Sequence, residues 1–186
     1  KINSRMNYYL DKMYVFYLRV FLGVTVGKNC RISRKTSIRC LHGTLEIGDN
    51  CIIEPNVRIK IVQNHNERDR VIVSEPNVFI GYSTIIDAGN YVEIGENTMI
   101  GPQVFITDVD HKFSIKNKPI NEQGAIFGKV IVGENVWIGS QSQILRNSRV
   151  SKNSIVGANS TVNKSFVEDS LIVGVPSKRK RKLFTE

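Results

Sequence analysis

Between Val26 and Val162 an aliphatic residue returns at every sixth position, in blocks. Val26, Ile32 and Ile38 form one series, and Ile47, Ile53 and Ile59 the next. Ile80, Ile86 and Val92 follow, then Ile94, Ile100 and Ile106. The last series is the longest: Val132, Ile138, Ile144, Val150, Val156 and Val162. A period of six matches neither a helix at 3.6 nor a plain strand at 2. It matches a parallel β-helix of hexapeptides, three to a coil of about 18 residues. In such a coil each aliphatic side chain points inward and stacks on its equivalent one coil away. A second, smaller residue lies four positions later and is expected to face inward too; Cys30, Cys51, Thr84, Thr98, Ser142 and Ser160 hold that place. The Gly and Asn residues between strands are expected to supply left-handed corners.

Three segments stand outside the period. From Met6 to Phe21 apolar residues recur at helical spacing, namely Met6, Leu10, Met13, Tyr17, Val20 and Phe21. Asn3 or Ser4 is a candidate cap and Gly23 a candidate stop. This stripe is expected to pack against the next element or a neighbouring subunit, or to lie on a membrane surface with basic residues facing lipid phosphates. One insertion, residues 61–77, holds His65, Glu67, Arg68, Asp69 and Arg70; the other, residues 107–127, holds His111. Loops projecting from a rigid scaffold are where binding and chemistry concentrate. The expected organisation is a helical segment (1–23), a β-helix domain (24–177) with its projecting loop (107–127), and a basic tail (178–186).

Charge narrows the partners. Lys and Arg number 26 against 17 Asp and Glu, a net charge of +9, and Lys178, Arg179, Lys180, Arg181 and Lys182 are consecutive. That favours a phosphorylated cofactor, an acidic glycan or an anionic surface. No aromatic platform accompanies the basic run, so no nucleic acid is expected. Cys30, Cys40 and Cys51 are too few for a disulfide framework, and no pair has metal-binding spacing. Cys30 and Cys51 read as core residues rather than nucleophiles. A reducing, cytoplasmic setting is expected, with the inner face of a membrane as an option. No signal-peptide pattern or membrane-spanning run is visible. His42, His65 and His111 lack the close spacing of a three-histidine metal site, so no metal is expected.

The motifs V-I-V-G-E-N-V-W-I-G-S (130–140), I-V-G-A-N-S-T-V-N-K (155–164) and G-V-P-S-K (174–178) resemble the hexapeptide-repeat acyltransferases, in particular the galactoside and polysaccharide O-acetyltransferase branch. The resemblance covers about residues 24–181. It implies an all-β fold: a left-handed parallel β-helix with a short N-terminal α-helix and a projecting catalytic loop. It further implies a homotrimer with acetyl-CoA in the groove between neighbouring prisms. Handedness and assembly come from the resemblance, since a left-handed coil runs against the usual crossover rule. His111 stands where the family carries an essential histidine. The same resemblance gives Trp137 as a wall against the sugar and Ser140 N–H as a partner of the thioester or pantetheine. It also gives Ala158 as a pantetheine contact, Lys164 and Arg181 as partners of the nucleotide end, and Ser83 and Asp87 as polar sugar contacts.

Acyl transfer from a thioester to a hydroxyl needs a base for the proton and donors for the oxyanion. An imidazole suits the first role at neutral pH. Asp108, Asp110 and Glu122 are the acidic candidates to assist or orient the His111 ring. The expected function is acetyl transfer from acetyl-CoA to a saccharide hydroxyl, on a cell-surface polysaccharide or its precursor. N-acetylation of an amino-sugar nucleotide is the alternative, and a non-catalytic β-helix scaffold or binding protein is a reading of another class.

Overall fold

A computed structural model describes residues 2–40, 43–61, 70–73 and 76–184; side chains of 2–5 and 70–73 are left aside. The strands among these residues form three sheets of seven, eight and six, plus a two-stranded hairpin. In one coil the chain runs along face A (Tyr91–Ile94), face B (Met99–Ile100) and face C (Phe105–Thr107), then turns to the next coil. Pairing between coils is parallel and in register. On face C, Ile38, Ile59, Ile86, Ile106, Ile144 and Val162 stack in one column. On face B, Ile32, Ile53, Ile80, Ile100, Ile138, Val156 and Ile172 do the same. The period of six is thus the distance from one prism face to the next. Nearly every one of these side chains is fully buried, and each contributes about 1.5–3 kcal/mol relative to exposure.

The small inward positions hold as expected: Thr84, Thr98, Ser142, Ser154 and Ser160 are buried. Their hydroxyls are satisfied across coils. Thr84 donates to the Gly101 carbonyl, Thr98 to that of Gly133 and Ser142 to that of Gly157, at 2.9–3.0 Å. Cys51 is buried, and the Cys30 thiol donates to the Gly48 carbonyl at 3.0 Å. The Cys30 thiol is pushed up by its hydrogen bond to Cys51 and by burial, which disfavours the thiolate a nucleophile needs.

The corners divide their work differently from the expectation. Asn takes most of the left-handed positions: Asn29, Asn50, Asn77, Asn97, Asn135 and Asn153 all have φ between 53° and 63°. Their amides form ladders between coils, as from Asn77 to Asn97 (3.0 Å) and Asn135 to Asn153 (2.9 Å). The glycines after the inward aliphatics have ordinary φ and serve close approach instead. A Cβ on Gly139 would meet the Ala158 nitrogen at 2.5 Å, and one on Gly95 the Glu134 nitrogen at 2.5 Å.

Helix α1 (Ile2–Phe21) packs on the first coil. It begins ahead of Asn3 and Ser4, so neither caps it, and it stops at Gly23 with φ +63°. Val15 and Leu18 are buried beneath it. The Tyr14 hydroxyl donates to the Thr36 carbonyl, and the Asp11 carboxylate accepts the Arg34 N–H. The Arg19 guanidinium donates to the carbonyls of Val26 and Gly27. Of the contacts expected for the Met6–Phe21 stripe, packing against the next element is therefore corrected. Met6, Met13, Tyr17, Val20 and Phe21 point outward and are exposed. A single coil offers a narrow ledge, and the Asp11, Tyr14, Val15 and Leu18 side fills it.

Two boundaries also shift. Arg70–Val73 is a regular strand of face A, paired with Thr44–Ile47 and with Tyr91–Ile94, so the first insertion is shorter than its sequence suggested. His65 and most of that insertion lie outside the described residues, as does His42. The basic run, expected as a tail, is a strand, Lys178–Lys182, antiparallel to Ser170–Val173 at the end of face B. Backbone pairing needs no apolar side chain, and like charges on an edge strand discourage further strand addition.

Ile138→Ala is expected to cost about 2–5 kcal/mol in chemical unfolding, and Met13→Ala less than about 0.5 kcal/mol.

Candidate active site

The loop that bears His111 leaves the prism at the corner between faces C and A. Ile106, fully buried, is its last inward anchor. The chain then forms a hairpin, with Val109–His111 antiparallel to Ala125–Phe127 and His111 opposite Ala125. The Lys112 N–H continues the ladder to the Gly124 carbonyl at 3.0 Å. His111 is exposed at the end of this short sheet. Its place in the loop is thus a strand position with fixed backbone, not a free turn.

Three contacts pin the hairpin. Asp108 is fully buried, and its carboxylate accepts the backbone N–H groups of Gly89 (2.6 Å), Asn90 (2.9 Å) and Tyr91 (2.6 Å) on the preceding coil. Burial raises its carboxyl above the ordinary value, while the three donors pull the other way and favour the charged form. Gly89 makes the seat: a Cβ there would run into the Phe127 ring and Val109. Asp110 pairs with Arg146 of the next coil at 2.7 Å. The tip is closed by Gln123, buried within the loop. Its side chain accepts the Ile115 N–H (2.9 Å) and donates to the carbonyls of Ile115 (3.1 Å) and Lys118 (2.7 Å).

The acidic candidates therefore do different things. Asp108 spends its oxygens on the neighbouring corner. Asp110 projects to the strand face opposite His111 and engages Arg146. Glu122 is exposed on the short 3-10 turn Ile120–Glu122. Asp87 is half-buried on face C and pairs in register with Thr107, where the loop begins. Its Oδ1 is buried with no hydrogen-bond partner among the described residues, a free acceptor beside the loop base. Sequence reasoning missed Gly89, Gln123 and Arg146. Gly89-Asn90 carried one signal, a close-approach residue one coil before the insertion that rests on it.

The remaining candidates sit elsewhere on the prism. Trp137 is half-exposed on face B, in register with Met99 and Ile155. Ser140 and Ala158 follow at the corner between faces B and C, and Ser83, with φ 58°, lies at the same corner two coils earlier. Among the described residues neither the Ser140 nor the Ala158 backbone N–H donates a hydrogen bond within the chain. Arg181 is exposed on the last strand of face B. Lys164 is exposed at the C–A corner, its amine 5.6 Å from the Phe166 ring centre. The chain thus brings His111, Asp87 and Lys164 to one edge of face C. Ser83, Ser140 and Ala158 stand at the other edge, with Trp137 and Arg181 on face B beyond. At ~3.3 Å per residue the two edges are roughly 15–20 Å apart.

Known proteins share this architecture. The sequence matches the family described as bacterial transferase hexapeptide (six repeats) over residues 129–164. WbbJ of Escherichia coli, named as a lipopolysaccharide biosynthesis O-acetyl transferase, is 30% identical over 158 residues, covering 81% of this chain and 78% of its own length. Rv3034c of Mycobacterium tuberculosis, named as an acetyltransferase, is 27% identical over 82% of this chain, which spans only 42% of that protein. Among solved structures, the N-acyltransferase AntD of Bacillus cereus, in complex with dTDP and coenzyme A, superposes with a TM-score of 0.70 at 26% identity. That match covers 85% of this chain and 83% of AntD.

Asp108→Asn would turn an amide N–H toward N–H donors, and is expected to lower unfolding stability by about 1–3 kcal/mol in urea titration.

The hexapeptide columns, the corner chemistry and the extent of the match to WbbJ make the chain a member of the hexapeptide-repeat acyltransferase family, built on the left-handed parallel β-helix.

Proposed function

We propose that the protein transfers an acetyl group from acetyl-CoA to a saccharide hydroxyl, on a cell-surface polysaccharide or its precursor, with His111 as general base. The observation that carries this is an exposed imidazole on a hairpin pinned by Asp108 to the preceding coil and by Asp110 to the next. His111 takes the acceptor hydroxyl proton as the oxygen attacks the thioester carbonyl. The tetrahedral intermediate places its oxyanion against a backbone N–H, for which Ser140 is free. Collapse breaks the C–S bond, and the departing coenzyme A thiolate takes the proton back from the imidazolium. No covalent enzyme intermediate is needed.

The two groups of residues, on opposite edges of face C, complete one site only if a second prism supplies the missing half. A homotrimer with acetyl-CoA in the groove between prisms does this. Trp137, with Met99 and Ile155, offers an apolar wall for pantetheine or sugar, and Ala158 a side chain small enough for close approach. Lys164 and Arg181 are the cations for pyrophosphate and 3′-phosphate. Asp87 and Ser83 contact the sugar. Asp108 and Asp110 act on His111 by fixing its strand, and Glu122 is the acid left to reach the acceptor side. A cytoplasmic enzyme that associates peripherally with the inner membrane face would meet such precursors as they are built.

The likeness to AntD, an N-acyltransferase, favours one alternative: an amine acceptor on a nucleotide-linked amino sugar. Thiol release from acetyl-CoA, measured across hydroxyl sugars and nucleotide-linked amino sugars, separates the two. Release with hydroxyl sugars alone is expected, and release only with amines would reverse the assignment. His111→Ala is expected to lower kcat by about 100- to 10,000-fold with coenzyme A affinity retained; a variant keeping most of its turnover would remove His111 from the mechanism. Arg181→Ala is expected to raise the KM for acetyl-CoA about fivefold, more than that for the acceptor.

A further inference from the structure

Helix α1 carries a second stripe that packing on the prism does not use. With 3.6 residues per turn, Met6, Tyr9, Met13, Phe16 and Val20 fall on one line. Each is more than half exposed, and Tyr17 and Phe21 stand beside them. This line faces away from the buried Val15 and Leu18. A helix with one apolar stripe on its own protein and another toward solvent has an unfilled contact.

The charge around the stripe has one sign. Lys12 and Arg19 lie seven residues apart on one border, and both are exposed. Arg19 donates to carbonyls, and the Lys12 amine lies over the Tyr8 ring at 4.6 Å. The one acid of the helix, Asp11, turns toward the prism to accept the Arg34 N–H. Residues 24–40, on which the helix rests, add exposed Lys28, Arg31, Arg34, Lys35 and Arg39 and contain no Asp or Glu. In sequence, residues 1–40 hold nine Lys and Arg against Asp11 alone, whereas residues 41–177 hold twelve against fifteen Asp and Glu. The positive charge is therefore concentrated in the part of the chain that carries the apolar stripe.

We propose that the outward face of α1 docks on an anionic lipid surface, with Met6, Tyr9, Met13, Phe16 and Val20 entering the headgroup–acyl boundary and the surrounding cations meeting lipid phosphates. The helix is not long and apolar enough to cross a membrane, which suits it to lie in the interface. Tyr8, Tyr9 and Tyr17 are rings of the kind enriched at that depth. A second copy is the competing occupant. Two such faces set together would bring cations against cations with no acid between them, whereas an anionic surface complements them. The inference deepens the peripheral association proposed above, yet rests on no catalytic assignment, so vesicle binding and acetyl transfer fail independently.

The test is flotation of the full chain with phosphatidylglycerol–phosphatidylcholine vesicles and with phosphatidylcholine vesicles alone. Binding to the first and not the second, weakening as salt is raised, is expected. The variant Met13→Glu/Phe16→Glu touches no core contact. It is expected to bind the anionic vesicles at least about tenfold more weakly, with unchanged melting temperature and unchanged mass by sedimentation equilibrium. Lys12→Glu is expected to weaken binding in the same direction. Absence of binding to anionic vesicles, or equal binding by the double variant, overturns the proposal. So does a fall in oligomeric mass in that variant, which would make the face a contact between copies. Loss of binding only when Lys178 to Lys182 are replaced by Ser would assign the contact to the basic strand instead and overturn it as well.

Discussion

Close stacking of coils is the constraint on which the rest depends. Strands about 4.8 Å apart can repeat over many coils only if each corner repeats as closely as each strand. The structure meets this with three kinds of residue. Asn accepts the left-handed corner and passes an amide hydrogen bond to its neighbour. Gly lets backbone lie on backbone, as Gly139 does over Ala158. At several corners Ser and Thr close the turn from inside, as Thr84, Thr98 and Ser142 do by donating to carbonyls of the next coil. The aliphatic columns supply most of the burial, and the corners set the spacing at which those columns meet.

That regularity leaves few candidate places for chemistry, and the loop at residues 107–127 is one. A loop of this length would ordinarily be loose. Here Asp108 ties its base to three N–H groups one coil back, and Asp110 ties it to Arg146 one coil ahead. The prism gives the loop a rigid origin, and the loop gives His111 a strand position on its surface. Face C separates that position from the Ser140 corner, so in the proposed trimer a neighbouring prism would complete the site.

Much of this was legible in the sequence. The inward aliphatic columns, the small inward positions at Thr84 and Ser142, and the core place of Cys51 all follow from a period of six. The candidate site was legible in part. His111, Trp137 and Asp108 stood out by residue type and motif, but Gly89, Gln123 and Arg146 did not, because a vacant Cβ, a bond to backbone elsewhere in the loop and an ion pair between coils leave no spacing to read. The helix shows the same limit: its apolar spacing was plain, yet two apolar faces share that spacing, and Met13 fits either.

By itself the sequence determined the repeat, the direction in which alternate side chains point and the position of the interruption, since these depend on local periodicity and steric size. Only the tertiary structure decided which helix face the first coil covers, that Arg70–Val73 and Lys178–Lys182 are strands, and that Asp108 is a buried anchor. Those outcomes depend on where a distant coil presents a free N–H, an open strand edge or a narrow ledge. It likewise decided that His111 and Ser140 stand on opposite edges of one face, because corners adjacent along the chain are set apart by the width of a prism.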